Sequence, residues 1–455
     1  MTSDTADPCR INVDLKENWR IYSDFFAQGL ATLLSHPHFS LVYVPENGAN
    51  KMKIVKPATD SYHRERMIQR MNAAIYNPSP YYALSHLWGV SGSNRYLWKE
   101  IGDYVDDENG QPAEPISMRP EKRATLLSLL GRNPDSYWWI DVLCARTDTP
   151  LDIMGDIYAC CFRCYAMMDC EPSVISQLCM MKDKEYEFNE LVVFGNLSPR
   201  QLIDRYLQLI DHFHTFTNCQ WWKRVWTWQE MVLPLGRGLY FIAETASHLS
   251  ENDIIHINDV STFDRMLLPL RNTCIKIINE NAVLSKIKTA SACISEAVKT
   301  RSLDLSRIHK EWHIEISALE KIDAVSGPME EMRRAKCYSA YRMVEFDPMS
   351  IVDVIESFGT SPRRCMDPVD YVYGVLGVIP FDIPRMTDPK KVWQQFLSHL
   401  EKLIPPLKKR MASMRPQVKI QGINDRAYQV DLSTASNMAD VYNNLIIVEV
   451  DASKW

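Results

Sequence analysis

Tyr137-Trp138-Trp139-Ile140-Asp141-Val142-Leu143, Thr149-Pro150-Leu151-Asp152 and Tyr165-Ala166-Met167-Met168 follow one another along residues 137–168. The first and last are short apolar runs of strand length. The middle one is a capping box with Pro at the first helical position, and it predicts a helix running to about Phe162. Strand, helix and strand in succession describe a crossover unit with parallel strands. The same alternation extends outward. Tyr81-Tyr82-Ala83-Leu84-Ser85 reads as a strand, and Ser117 to Gly131 as a helix that turns Leu126, Leu127, Leu129 and Leu130 inward and stops at Gly131. Ser198-Pro199-Arg200-Gln201 opens a helix carrying Leu202, Ile203, Tyr206, Leu209, Ile210 and Phe213; Trp221 to Met231 reads as a Trp-rich helix, and Arg237 to Ala243 as a further strand. The pattern predicts an α/β fold: an open parallel sheet covered by helices on both faces.

Flanking segments behave differently. Trp19 to Leu34 has apolar residues at helical spacing, and Phe39–Val44 and Lys51–Val55 flank the turn signal Asn47-Gly48, so residues 1–75 read as a helix and hairpin extension. Residues 76–250 hold the alternating pattern. From 251 to 455 the character is mainly helical, with apolar periodicity over Thr262–Leu319, Met329–Val344 and Lys391–Leu403, a capped helix from Asp367 to about Gly377, and a strand-like run at Leu445–Val450. A chain of 455 residues is expected to hold more than one domain.

Composition narrows the function classes. With 46% hydrophobic and 24% charged residues the chain is globular in character. A net charge of -6 does not favour a nucleic-acid partner. No export signal and no apolar run long enough to span a membrane is visible, so a cytoplasmic protein is expected, its 12 Cys reduced. Cys161-Phe162-Arg163-Cys164 lacks the second pair that a zinc site needs, so Cys160, Cys161, Cys164 and Cys170 read as core thiols. Phosphate-loop, dinucleotide-fingerprint and H-E-x-x-H motifs are absent, and His212 and His214, two apart, face different sides of a helix. Neither a cofactor nor a metal is implied.

Three segments, in order, resemble the heterokaryon-incompatibility (HET) family of fungi. They are Tyr82-Ala83-Leu84-Ser85-His86-Leu87-Trp88-Gly89, then Trp139-Ile140-Asp141-Val142-Leu143-Cys144 with Ile157-Tyr158, and Arg224-Val225-Trp226-Thr227-Trp228-Gln229-Glu230. Asp367-Pro368-Val369-Asp370-Tyr371-Val372-Tyr373-Gly374-Val375-Leu376-Gly377 is similar to a segment common downstream of that domain. His86, Thr147 and Trp228 replace the usual Tyr, Gln and Leu. The family is itself distantly similar to Toll/interleukin-1 receptor-type (TIR) domains. That resemblance implies a flavodoxin-like sheet followed by a mostly helical second domain, and an effector of regulated cell death in self/non-self recognition. It further implies NAD or a related nucleotide as substrate and self-association or a partner protein as the mode of control.

By the same resemblance Glu230 matches the catalytic glutamate of members that cleave NAD. Breaking the nicotinamide–ribose bond builds positive charge on the ribose, which a nearby carboxylate stabilises without a metal. The loops at Ser85–Gly89 and Leu143–Thr149 are expected at the carboxyl ends of the strands, where open parallel sheets bind ligands. Trp88 is then placed to stack on a ring, and Arg146 to meet a phosphate. Gly89, Asp141, Ser85 and Trp226 complete the expected substrate-binding set. Plainer roles stand beside these. Glu230 is equally an ordinary helical Glu paired with a surface cation, and the tryptophans are core aromatics. Asp141 is a site carboxylate or a helix-cap partner, and Ser85 a ligand contact or a turn residue. A non-catalytic signalling module of the same fold is the rival to the nucleosidase.

Overall fold

The computed structural model describes residues 23–47, 51–74, 79–91, 94–146, 148–194, 197–234, 238–246, 249–295, 314, 317–333, 348–379 and 381–450. The expected helix start at Trp19, Gly48 of the turn signal, Thr147 and residues 334–344 lie outside them. One sheet organises the molecule. Its strands are β1 (Leu41–Val44), β2 (Met52–Val55), β3 (Tyr81–Ser85), β4 (Val105–Asp106), β5 (Ser136–Ile140), β6 (Cys164–Met168), β7 (Leu239–Ala243) and β8 (Ile255–His256). They lie in the order β8-β7-β6-β3-β5-β1-β2-β4. The middle four, β7-β6-β3-β5, are parallel, as the alternation predicts.

The sheet as a whole is mixed. β1 runs antiparallel to β5 and β2 to β1, β8 runs antiparallel to β7, and β4 is parallel to β2. The hairpin expected as part of an extension is therefore built into the sheet. Leu41 and Val42 point to opposite faces and both are fully buried, so β1 needs cover on both sides and protects the edge of β5.

Register assigns the two faces. Tyr81, Ser85, Tyr137, Ala166 and Phe241 share one face. Against it pack α2 (Ser61–Ala73), α4 (Asp152–Ala159) and α5 (Pro199–Thr217), with α1 (Ser23–Ser35) against α4; α3 spans Pro120–Gly131. Tyr81 Oη donates to the Ile157 carbonyl in α4 at 2.7 Å, His63 of α2 bonds the Tyr137 hydroxyl at 2.8 Å, and Phe216 of α5 meets Phe241 edge-on. On the opposite face Tyr82, Trp138, Tyr165 and Tyr240 form a run of ring contacts. Trp138, Trp139 and Trp221 are fully buried. Each removes roughly 200 Å² from water, worth about 5 kcal/mol before entropy is counted.

Three local expectations are corrected. The run Tyr137–Leu143 leaves the sheet at Ile140, and Asp141–Cys144 forms one helical turn. Thr149 does not cap a helix: its hydroxyl accepts from the Arg146 N–H at 2.8 Å, and α4 begins only at Asp152, behind Leu151. The Trp-rich stretch is broken. A tight turn, Gln220–Lys223, is followed by extended Arg224 and then α6 (Thr227–Val232). The break has a cause in the C-terminal half. Arg364 donates its N–H to the Lys223 carbonyl at 2.6 Å and accepts from the Val225 N–H at 3.0 Å, which holds Arg224 straight.

That half contains the helix Ile257–Ser295, a helix over 317–333, the helix Pro348–Phe358, α7 (Asp370–Leu376), the helix Pro389–Met414 and an antiparallel pair, Val418–Ile423 with Ile446–Val450. It is fastened to α6 by a buried arginine. Arg363 is fully buried, donates to Glu331 at 2.8 Å, to the Thr227 hydroxyl at 2.7 Å and to the Arg224 carbonyl at 3.0 Å. Behind α7, Gly377 sits on Gly155 of α4 so closely that a Cβ on Gly155 would lie 2.6 Å from the Gly377 Cα.

Among the described residues no helix is long and apolar enough to cross a membrane.

Candidate functional site

Parallel strands carry their loops to one end, and two of those loops meet α6 at the carboxyl ends of β3 and β5. Ser85 is the last residue of β3, Asp141 is the first residue after β5, and Glu230 projects from α6. The Ser85 hydroxyl donates to a Glu230 carboxylate oxygen. Its own oxygen accepts from the Trp221 indole N–H at 2.7 Å. Because an indole only donates, the chain runs from Trp221 through Ser85 to the ionised Glu230 carboxylate. Tyr158 of α4 also bonds the Glu230 carboxyl. Glu230 is 7% exposed. Burial is the main reason its carboxyl is lifted to about 7, and the nearby Asp141 charge adds to the rise. The bonds from Ser85 and Tyr158 and the Arg224 charge oppose it.

Asp141 has a richer set of donors. One oxygen accepts from His86 Nε2 at 2.9 Å and from the Val142 N–H at 2.7 Å, the other from the Trp88 indole at 2.5 Å. Burial alone would raise this carboxyl. The His86 charge and the three hydrogen bonds outweigh it and hold Asp141 below the ordinary carboxylate value. His86 Nδ1 faces the Leu87 carbonyl at 2.9 Å. Both ring nitrogens therefore face oxygen atoms, one the Leu87 carbonyl and one the Asp141 carboxylate. Two carboxyls with different proton affinities thus lie side by side, one ionised and one poised near neutrality.

The expected residues divide into two groups. Ser85, Trp88, Asp141 and Glu230 come together, and Trp88 leaves 47% of its surface exposed beside Asp141. Gly89, Arg146 and Trp226 are engaged elsewhere. Gly89 lies in a backbone crossing where a Cβ would meet the Met118 nitrogen at 2.5 Å. Arg146 donates to the Leu143 carbonyl at 2.7 Å and pairs with Glu108 at 3.4 Å. Trp226 bonds Asp370 of α7, a carboxyl pushed up to about 6, chiefly by burial.

A second polar cluster, not singled out in the sequence, adjoins the first. Lys122 of α3 is fully buried, donates to the Leu87 carbonyl and lies 3.4 Å from Glu244, which follows β7. Burial lowers the Lys122 ammonium to about 8 against the pull of Glu244. Arg119 donates to the same Glu244 at 2.5 Å. Nothing in the string Arg119-Pro120-Glu121-Lys122-Arg123 separates the buried lysine from its solvated neighbours. Only the position of Leu87 in space does so. Among the described residues no group of three His, Cys, Asp or Glu side chains could hold a metal.

At the amino ends of the same strands lies a cavity of about 410 Å³ lined by Arg70, Tyr82, Arg132, Asp135 and Phe162 among others. It is remote from Glu230 along the strands. No curated protein and no solved structure matches the chain. Residues 81–230, the stretch that opens with β3 and closes on Glu230, match the family model described as Heterokaryon incompatibility protein (HET).

Proposed function

We propose that the chain is an effector of heterokaryon-incompatibility type that cleaves NAD at the nicotinamide–ribose bond, with Glu230 as the group that stabilises the ribosyl cation. The observation that carries this reading is the convergence of Ser85, Asp141 and Glu230, from three separate sequence blocks, at the carboxyl ends of parallel strands. The middle strands, counted in chain order, lie 2-1-3-4 across the sheet, the flavodoxin-like order, and such sheets bind ligands at that end. The TIR-like relationship is part of the same proposal. In it, the exposed face of Trp88 stacks on a ring of the nucleotide and Asp141 holds Trp88 and His86 in place.

The closed state of the site gives the mechanism its order. Glu230 is buried and bonded to Ser85 and Tyr158, so a substrate must first displace these partners. Moving the carboxyl into contact with solvent and a cationic pyridinium ribose favours its ionised form, which is the form the chemistry uses. Self-association or a partner protein would supply the opening. The same burial favours a second reading, a signalling module that acts by binding alone, in which Glu230 is structural. Nicotinamide release by purified protein, measured over a range of protein concentrations beside Glu230→Ala, separates the two. Release by the wild type that falls about 10²-fold or more in the variant supports catalysis, on the scale of losing one preorganised electrostatic group. No release from either folded protein at any concentration supports the binding module, and equal release from both removes Glu230 from the chemistry.

A further inference from the structure

Two loops that flank the candidate site are clipped together by one carboxylate. Asp169 follows β6 directly, and its oxygens accept from the Gln220 N–H at 3.0 Å and the Trp221 N–H at 3.2 Å. The clip brings the next residue on one side, Cys170, against the preceding residue on the other, Cys219. Their side chains interact, and the Cys219 thiol itself donates to the Thr215 carbonyl at 3.6 Å. The two differ in access. Cys219 is 5% exposed, whereas Cys170 is partly open to solvent. Cys144, Cys160, Cys161 and Cys164 are at most 1% exposed, so an oxidant in solution does not reach them.

We propose that Cys170 and Cys219 form a redox pair that a peroxide converts to an intramolecular disulfide. In the first step the Cys170 sulfur attacks one oxygen of hydrogen peroxide, the O–O bond breaks, and a sulfenic acid and one water result. In the second the Cys219 sulfur attacks the Cys170 sulfur. The S–S bond forms, the S–O bond breaks, and hydroxide leaves with the Cys219 proton as a second water. Two thiols lose two electrons and one peroxide gains them. The Cys170 thiol beside it, followed by burial, holds the Cys219 thiol well above its usual range. It therefore keeps its proton until Cys170 has reacted, which fits the resolving role.

The disulfide would tie the end of β6 covalently to the turn Gln220–Lys223, and that turn carries the Trp221 indole bonded to Ser85. Oxidation would thus lock the turn on which the Glu230 hydrogen-bond chain begins. The test is a peptide map of the full chain under non-reducing conditions, after a brief exposure to hydrogen peroxide and blocking of the remaining thiols with N-ethylmaleimide. The expected result is a linked pair of peptides containing Cys170 and Cys219, with two thiols lost per chain. In Cys219→Ser, dimedone labelling of Cys170 should rise severalfold over wild type, because the sulfenic acid has no resolving thiol. The proposal is overturned if wild-type Cys170 passes to sulfinic acid without a Cys170–Cys219 link. It is equally overturned if Cys170 joins only a second copy of the chain.

Discussion

Replacing Glu230 by Gln should make the protein more stable at high pH and leave it little changed at low pH. Folding lifts this carboxyl from its ordinary 4.5 to about 7. Between those values the folded chain holds a proton that the unfolded chain releases. The stabilising contribution of the group is therefore complete below its unfolded value and is lost as the pH rises through the folded one. Each tenfold change in proton affinity is about 1.4 kcal/mol, so the full effect is about 3 kcal/mol, of which about 2.5 falls between pH 5 and pH 8. A glutamine keeps an oxygen to accept the Ser85 hydroxyl but has no proton to lose. Urea unfolding of both proteins at pH 5, 6, 7 and 8, followed by tryptophan fluorescence, gives the stability gap at each pH, and the other titrating groups cancel in that difference. The gap should move by about 2.5 kcal/mol in favour of the variant over this range. A gap that stays constant, or moves the other way, refutes the argument that Glu230 is buried and uncompensated.

Further consequences concern its neighbours. Asp141→Asn removes a charge that raises the Glu230 carboxyl, so Glu230 should titrate lower, and Tyr158→Phe removes a bond that favours the ionised form, so it should titrate higher; carboxyl carbon NMR reads both directions. Arg363→Met leaves Glu331 buried and unpaired and should cost about 3–5 kcal/mol in urea unfolding, while adding Glu331→Leu should restore most of it. Gly377→Ala forces a methyl into Gly155 and the Gln229 side chain, and should destabilise the protein by about 1–3 kcal/mol, seen as a lower melting temperature.

How far the sequence anticipates the structure depends on the range of the forces involved. The short strands at Tyr81–Ser85, Ser136–Ile140, Cys164–Met168 and Leu239–Ala243 are legible because an apolar run of that length between turn signals has few other solutions. The Ser198 capping box is legible too, and both of its reciprocal bonds form. The Thr149 box uses the same residue types but fails, since the Thr149 hydroxyl is taken by the Arg146 N–H. The break at Arg224 is invisible locally because its cause, Arg364, lies in the other half of the chain. Insertion of the hairpin into the sheet follows from burial of both Leu41 and Val42, which periodicity alone does not report.

The site divides in the same way. Ser85, Asp141 and Glu230 stand out only through a resemblance spanning three blocks, and the fold brings them to one end of the sheet. Trp221 and Tyr158 enter as their hydrogen-bond partners, because a buried hydroxyl and a buried carboxyl need donors that sequence order does not specify. Gly89, Arg146 and Trp226 lie in the same blocks and yet serve a backbone crossing, a loop carbonyl and α7.

On the proposed function, NAD is handled at the Glu230 end of the sheet. A crystal structure of the full chain carrying Glu230→Gln, grown with saturating NAD, addresses it directly. The nicotinamide ribose should lie against residue 230, with a ring of the nucleotide on Trp88. Nucleotide bound instead in the cavity of Arg70 and Arg132 at the opposite end of the strands, or no nucleotide at all, would contradict it.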